Sequence, residues 1–215
     1  MAKTIYQREN GDFSNACHEL ARQVFYPKLF SVEPSQIIYG ESTLLQESER
    51  GKILDGELGI DRLIQCRVDG VMGHTIFAIQ ERFRRASYRN KYRDITLTEW
   101  NHATGQPSEL SKINAGIFVY GYANEDVTDF LEVFAVNTAS LILAVTSGRI
   151  NYRRDKNKKE QSFLAFTIQE LCRKNTIMFQ YPTLWRPKDT VAKHRGIGLP
   201  SQVPQVSHID RIEAF

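Results

Sequence analysis

Two apolar runs joined by a turn-forming segment constrain this chain most. Thr75-Ile76-Phe77-Ala78-Ile79-Gln80-Glu81-Arg82-Phe83 is apolar on both faces as far as Gln80, and a strand of that kind belongs in the interior of a sheet. Ahead of it, Ile60-Asp61-Arg62-Leu63-Ile64-Gln65-Cys66 reads as another strand, and Val68-Asp69-Gly70-Val71-Met72-Gly73 supplies the turn. Two strands so close in sequence pair as a hairpin, and a hairpin with one fully buried member needs cover on both faces.

The cover is legible on either side. Phe13, Ala16, Cys17, Leu20, Ala21, Val24, Phe25 and Leu29 recur at three- and four-residue steps. They form the stripe of an amphipathic helix from Asp12 to about Phe30, with Asp12 or Ser14 as N-cap and Pro27 kinking its last turn or ending it early. Downstream, Asp94 to Trp100 alternates as a short strand, 104–107 is a loop, and a short helix starts at Ser108 and Glu109. Gly116 to Tyr122 and Asp129 to Val136 are strands, and Asn137 or Thr138 caps a helix running towards Gly148. Periodicity leaves Ser162 to Ile168 open between a strand and a helix start. The order predicts an α/β fold with one mixed sheet and helices on its faces. Four of the seven prolines lie between Pro182 and Pro204, which predicts one domain over 1–181 and a loop-rich extension over 182–215.

Charge adds a second theme. The net charge is only +3, but 82–93 holds six cations, no acid and three aromatics, and 149–159 holds six cations and one acid. Such runs on an otherwise acidic chain point to a polyanion, through counterion release from phosphates and base stacking on Tyr and Phe. The candidate phosphate contacts are Arg84, Arg85, Arg89, Lys91 and Arg93 in the first run, and Arg153, Arg154, Lys156, Lys158 and Lys159 in the second. A solvated charged face is the plainer reading of either run alone.

The hairpin carries the candidate chemistry. Asp61 begins one strand, and Gln80, Glu81 and Arg82 follow 19 to 21 residues later, where the next strand leaves its apolar stretch. A carboxylate with a neighbouring oxygen ligand can hold Mg²⁺, which activates water and stabilises charge on phosphorus. A cation two residues on shares that face of the strand.

In this order and spacing the chain resembles the PD-(D/E)xK nuclease superfamily, over roughly residues 13 to 122. The resemblance implies a restriction-endonuclease-like core of helix, strand hairpin, helix and strand, with further C-terminal strands and helices. It implies a Mg²⁺-dependent (or Mn²⁺-dependent) endonuclease acting on double-stranded DNA as a homodimer or higher oligomer. Glu19 matches the helix acid, Asp61 the metal-binding Asp, Gln80 the acid position and Arg82 the lysine position. Gln80 replaces an acid, and Arg82 replaces a lysine without being able to lose a proton. A second frame puts Glu81 on the metal, with Phe83 at the lysine position. A lysine that has migrated, Lys112 or Lys91, is a further candidate for the missing role. If none serves, the same fold only binds DNA.

Other classes fall away. No run of about 18 apolar residues exists, so no membrane span is expected. Met1-Ala2-Lys3-Thr4 lacks an apolar signal core, and Cys17, Cys66 and Cys172 are odd in number and widely spaced. Reduced thiols in a cytoplasmic, nucleoid-associated protein follow as expectations. The five histidines are scattered and form no ligand pair by spacing. Neither a phosphate-binding glycine loop nor a nucleophile elbow is present.

Overall fold

The computed structural model describes residues 5–40, 53, 57–66, 75–157 and 161–182. All fall within the compact unit that ends at Leu184. The expected turn at Val68–Gly73 lies outside the described residues, as does the extension after Pro182.

Two sheets are present, where the sequence predicted one. The larger has six strands in the order β1 (Ile37–Gly40), β2 (Arg62–Cys66), β3 (Thr75–Arg85), β6 (Ile117–Ala123), β7 (Phe130–Asn137) and β10 (Ile177–Tyr181). The smaller has the order β5 (Gln106–Pro107), β4 (Asp94–Asn101), β9 (Gln161–Thr167) and β8 (Arg153–Lys156). The expected hairpin is there: β2 pairs antiparallel to β3 with Arg62 opposite Ile79. β3 is central as its composition demands, with β6 running parallel to it on the other side. The larger sheet is therefore mixed, because its other pairings are antiparallel.

Strand β6 explains why a second sheet exists. All seven of its residues are buried, so both faces of the larger sheet must be covered. Phe118, Tyr120 and Tyr122 point to one face, where they pack with Ile95 and Leu97 of β4, Leu164 and Phe166 of β9, and Leu141 of α5 (Thr138–Thr146). The Tyr122 hydroxyl accepts the Asp94 N–H at 3.1 Å and donates to the Asp94 carbonyl, stitching the two sheets together. Ile117 and Val119 point the other way, onto Cys17, Leu20, Ala21 and Phe25. Each fully buried side chain of this size contributes roughly 1.5–3 kcal/mol.

The N-terminal helix departs from expectation at its start, while its helical run ends at Phe30 as expected. α1 (Ile5–Leu20) begins seven residues before Asp12, so Asp12 and Ser14 are interior to it, not N-caps. Pro27 does not end the helix. The chain passes through a π turn at Ala21–Phe25 and continues as α2 (Tyr26–Phe30), with the Tyr26 N–H donating to the Ala21 carbonyl. Proline lacks an N–H and its ring crowds the carbonyl four residues back, so a wider turn just before it relieves the clash.

Several elements had no sequence expectation. The first cation run is the end of β3 followed by α3 (Ala86–Tyr92). β1, β8 and β10 are short edge strands, and 106–107 pairs with β4 instead of lying in an unpaired loop. The open segment resolves as both alternatives in turn: β9, then α6 (Ile168–Arg173), capped by Thr167 accepting the Glu170 N–H at 3.2 Å. Asn137 caps α5 by accepting the Ser140 N–H at 2.8 Å. No helix among the described residues is long and apolar enough to cross a membrane.

Candidate functional site

β2 begins at Arg62, so beyond Ile79 strand β3 has a neighbour on its β6 side only. Asp61 fills the first gap on the open side. Its N–H donates to the Ile79 carbonyl at 2.9 Å, and its Oδ2 accepts the Glu81 N–H at 2.7 Å, where a strand carbonyl would otherwise sit. A cleft of about 280 Å³ opens along this edge, lined by Ser14 and His18 of α1, Asp61, Arg62, the Gln80-Glu81-Arg82 stretch of β3, and Glu109 of α4 (Glu109–Lys112). Three carboxylates, two guanidinium groups and the His18 imidazole share the lining.

Strand alternation sends Glu81 towards the N-terminal helices. Its side chain is 1 % exposed, with His18 Nδ1 at 2.6 Å and Arg62 Nε at 3.1 Å. The Tyr26 hydroxyl also donates to it. Burial alone would raise the Glu81 pKa; the close contact with His18 and its charge, the Tyr26 hydrogen bond and the Arg62 charge outweigh it and hold the carboxyl below the ordinary range. This carboxylate is fully committed to protein groups, so the frame that puts it on a metal is not supported by its surroundings. On its other side, His18 holds Ser14 Oγ at 3.0 Å from Nε2. The edge of the His18 ring meets Phe83 at 5.4 Å between centroids.

Gln80 and Arg82 face the opposite way, towards the smaller sheet. Arg82 reaches Glu109 Oε2 at 2.5 Å, the Thr96 carbonyl at 3.1 Å and Thr98 Oγ1 at 3.2 Å. Glu109 Oε2 also accepts the Thr98 N–H at 3.0 Å. Arg82 is thus a tie between β3, β4 and α4. By contrast, Gln80 Oε1 and Glu109 Oε1 are buried without a hydrogen-bond partner. Buried acceptors left in that state call for an explanation, such as a bound ion or water. Gly59, at φ +56°, preserves the space beside Gln80: a Cβ there would stand 3.4 Å from Gln80 Oε1 and 3.0 Å from the Ile113 Cα. The Asn114 N–H donates to the Leu58 carbonyl at 2.8 Å, pinning this loop to the end of α4.

Of the residues singled out in the sequence, Asp61, Gln80, Glu81 and Arg82 come together. Glu19 and Lys112 do not line the cleft. Glu19 is exposed on α1, where it accepts from Gln23 at 2.7 Å. Sequence reasoning missed Ser14, His18, Tyr26, Arg62 and Glu109 as parts of the site. The four-residue step from Ser14 to His18 puts both on one helix face and was a usable signal; Tyr26 and Arg62 gave none, because only the fold brings them to Glu81.

The arginines of the two cation runs have partners within the protein. Arg89 and Arg93 both bind Glu132, at 3.0 and 2.6 Å, and Glu132 is 2 % exposed. Arg85 lies 3.8 Å from Glu125 and covers the Phe13 ring. Arg153 pairs with Asp94 and Asp155, and Arg154 makes a forked pair with Glu99 at 2.8 Å on each arm. Arg84 lies over the Tyr88 ring and Lys91 over the Tyr92 ring. Lys156 is exposed on β8, and Lys158 and Lys159 lie outside the described residues.

Among the described residues no group of three or more His, Cys, Asp or Glu side chains could hold a metal ion. No family model matches the chain, and neither a curated protein nor a solved structure matches it.

Proposed function

We propose that this protein is a divalent-cation-dependent endonuclease for double-stranded DNA, a member of the PD-(D/E)xK superfamily with an altered motif. The observation that carries the reading is Asp61 Oδ2 docked on the Glu81 N–H beside the unpartnered Gln80 oxygen, in one cleft at the open edge of a central strand. The order of helix, three-strand meander, then a strand parallel to the third supports the restriction-endonuclease-like core.

The residues present fit Mg²⁺ or Mn²⁺. Mg²⁺ is commonly held by one or two carboxylates plus substrate phosphate, so it needs no cage of three acids. Asp61, Gln80 Oε1 and Glu109 Oε1 are the hard oxygen donors, and Gly59 leaves the room. Bound there, the cation would supply Lewis-acid stabilisation of charge on the phosphate and bring a polyanion to a cleft lined by three carboxylates. Arg82 orients Glu109, while Asp61 fixes the strand edge. A second reading, a DNA-binding module without catalysis, is favoured by Arg82 being tied to Glu109 in place of a motif lysine. Cleavage of both strands would call for two copies of the chain.

Nicking of supercoiled plasmid with Mg²⁺ or Mn²⁺ separates the readings. The nuclease reading expects nicking that Asp61→Asn removes, with DNA affinity kept or slightly raised, and that Gln80→Glu preserves or raises. Salt-dependent DNA binding without nicks would leave the binding module. Full activity in Asp61→Asn would remove the cleft from the mechanism.

A further inference from the structure

An attacking water must lose a proton, and the nuclease reading leaves that role unfilled. Arg82 keeps its proton at any ordinary pH and is tied to Glu109. Lys112 is outside the cleft. Glu81 is committed to His18, Tyr26 and Arg62.

We infer that His18, oriented by Glu81, is the general base that takes the proton of the attacking water; this rests on the nuclease reading above. The ring is set for the task. The Glu81 carboxylate oxygen stands 2.6 Å from Nδ1, closer than two lone pairs can sit, so Nδ1 carries a proton, although the contact lies off the line of a hydrogen bond. In the neutral ring the lone pair is then on Nε2, the nitrogen that faces Ser14 in the cleft wall. Glu81 cannot swing away, because it is buried and clamped by Tyr26 and Arg62. Glu81 is therefore a positioning residue, and Phe83 limits the ring's rotation from the side. The titratable and charged groups around the imidazole are Glu81 and Arg82 of β3, Asp61 and Arg62 at the head of β2, Tyr26 of α2 and Glu109 of α4 across the cleft. Glu19 follows on its own helix.

In the step, a water replaces the Ser14 hydroxyl at Nε2. Its O–H bond breaks with the proton passing to Nε2, its oxygen bonds to phosphorus, and the opposite P–O ester bond breaks. The departing oxygen takes a proton from solvent water, and the imidazolium returns its own to solvent. One water is consumed per bond cut.

The test compares wild type, His18→Gln, His18→Ala and Glu81→Gln for plasmid nicking from about pH 5 to about pH 9, alongside DNA affinity and melting temperature. The ring nitrogens of wild-type His18 are read by ¹⁵N NMR. The inference expects His18→Gln to slow nicking by about 10²–10⁴-fold at unchanged DNA affinity and to lose the acid limb of the pH profile. Imidazole should restore His18→Ala. Glu81→Gln should slow nicking at unchanged DNA affinity, since the carboxylate that holds the ring's tautomer is gone. Nicking by folded His18→Gln within about threefold of wild type would overturn the inference and leave the nuclease reading standing. A proton found on Nε2 of the neutral ring would overturn it even if the variants failed to fold. A wild type that binds DNA but never nicks it refutes the nuclease reading, and the general base falls with it.

Discussion

Removing the two arginines that share Glu132 tests whether the first cation run serves the fold or a polyanion. Glu132, on β7, accepts from Arg89 Nε at 3.0 Å, Arg93 Nε at 3.2 Å and Arg93 Nη2 at 2.6 Å. Burial pushes its pKa up, but the hydrogen bonds and charges of Arg93 and Arg89 prevail and hold it below the ordinary value. The arginine side chains are 30 % and 47 % exposed. Solvent screening therefore limits either single replacement by Ala to about 1 kcal/mol, while the other arginine remains. The double replacement is different, because a buried carboxylate stripped of its cations costs about 3–5 kcal/mol. Protonation is its escape, at about 3.5 kcal/mol for an ordinary carboxylate at pH 7, so the loss should be about 3 kcal/mol and more than additive. In the wild type the depressed pKa gives stability that is present above the unfolded value of about 4.3 and is lost as pH falls through the lower folded value. In the double variant burial acts unopposed and Glu132 protonates more readily folded than unfolded. The deficit should then shrink to about 1 kcal/mol at pH 5. Urea denaturation at both pH values measures it. A double variant within about 0.5 kcal/mol of wild type at pH 7, or an equal deficit at both pH values, would refute the role given to these arginines.

Two further outcomes follow from the packing. Gly59→Ala should lose about 1–2 kcal/mol of stability by thermal melt, from its left-handed backbone and from a Cβ 3.0 Å from the Ile113 Cα. It should also weaken Mn²⁺ binding by calorimetry, whereas Gly11→Ala, with nothing within 4 Å of its added Cβ, should not. The Cys17 thiol is pushed up to about 12 by burial, against the pull of Arg85, and burial also raises Cys66. Both should resist thiol reagents in the native protein and react on unfolding; rapid native labelling of either would contradict the burial.

The secondary structure of the centre was legible in the sequence because its signal is local. The period-two and doubly apolar patterns marked β2, β3, β6 and β7, and the glutamine that interrupts the apolar run marked where β3 meets the cleft. The helix stripe from Phe13 to Leu29 fixed which face of α1 is buried, but not where the helix begins, since helix ends depend on contacts outside the stripe. What Pro27 does was not local either: it ends many helices, and here a π turn absorbs it and leaves Tyr26 within reach of Glu81. The division into two sheets was invisible, because strand alternation says which face is buried and not which strand lies opposite. Charge pairing was invisible for the same reason. Arg89, Arg93 and Arg154 look unpaired along the chain, while their acids lie between 39 and 55 residues away. The sequence alone determined that Asp61 and Gln80 would meet across a hairpin. Only the tertiary structure decided that Glu81 turns inward to His18, and that Arg82 answers to Glu109, because a side chain's partner is set by the three-dimensional surroundings into which its strand is delivered.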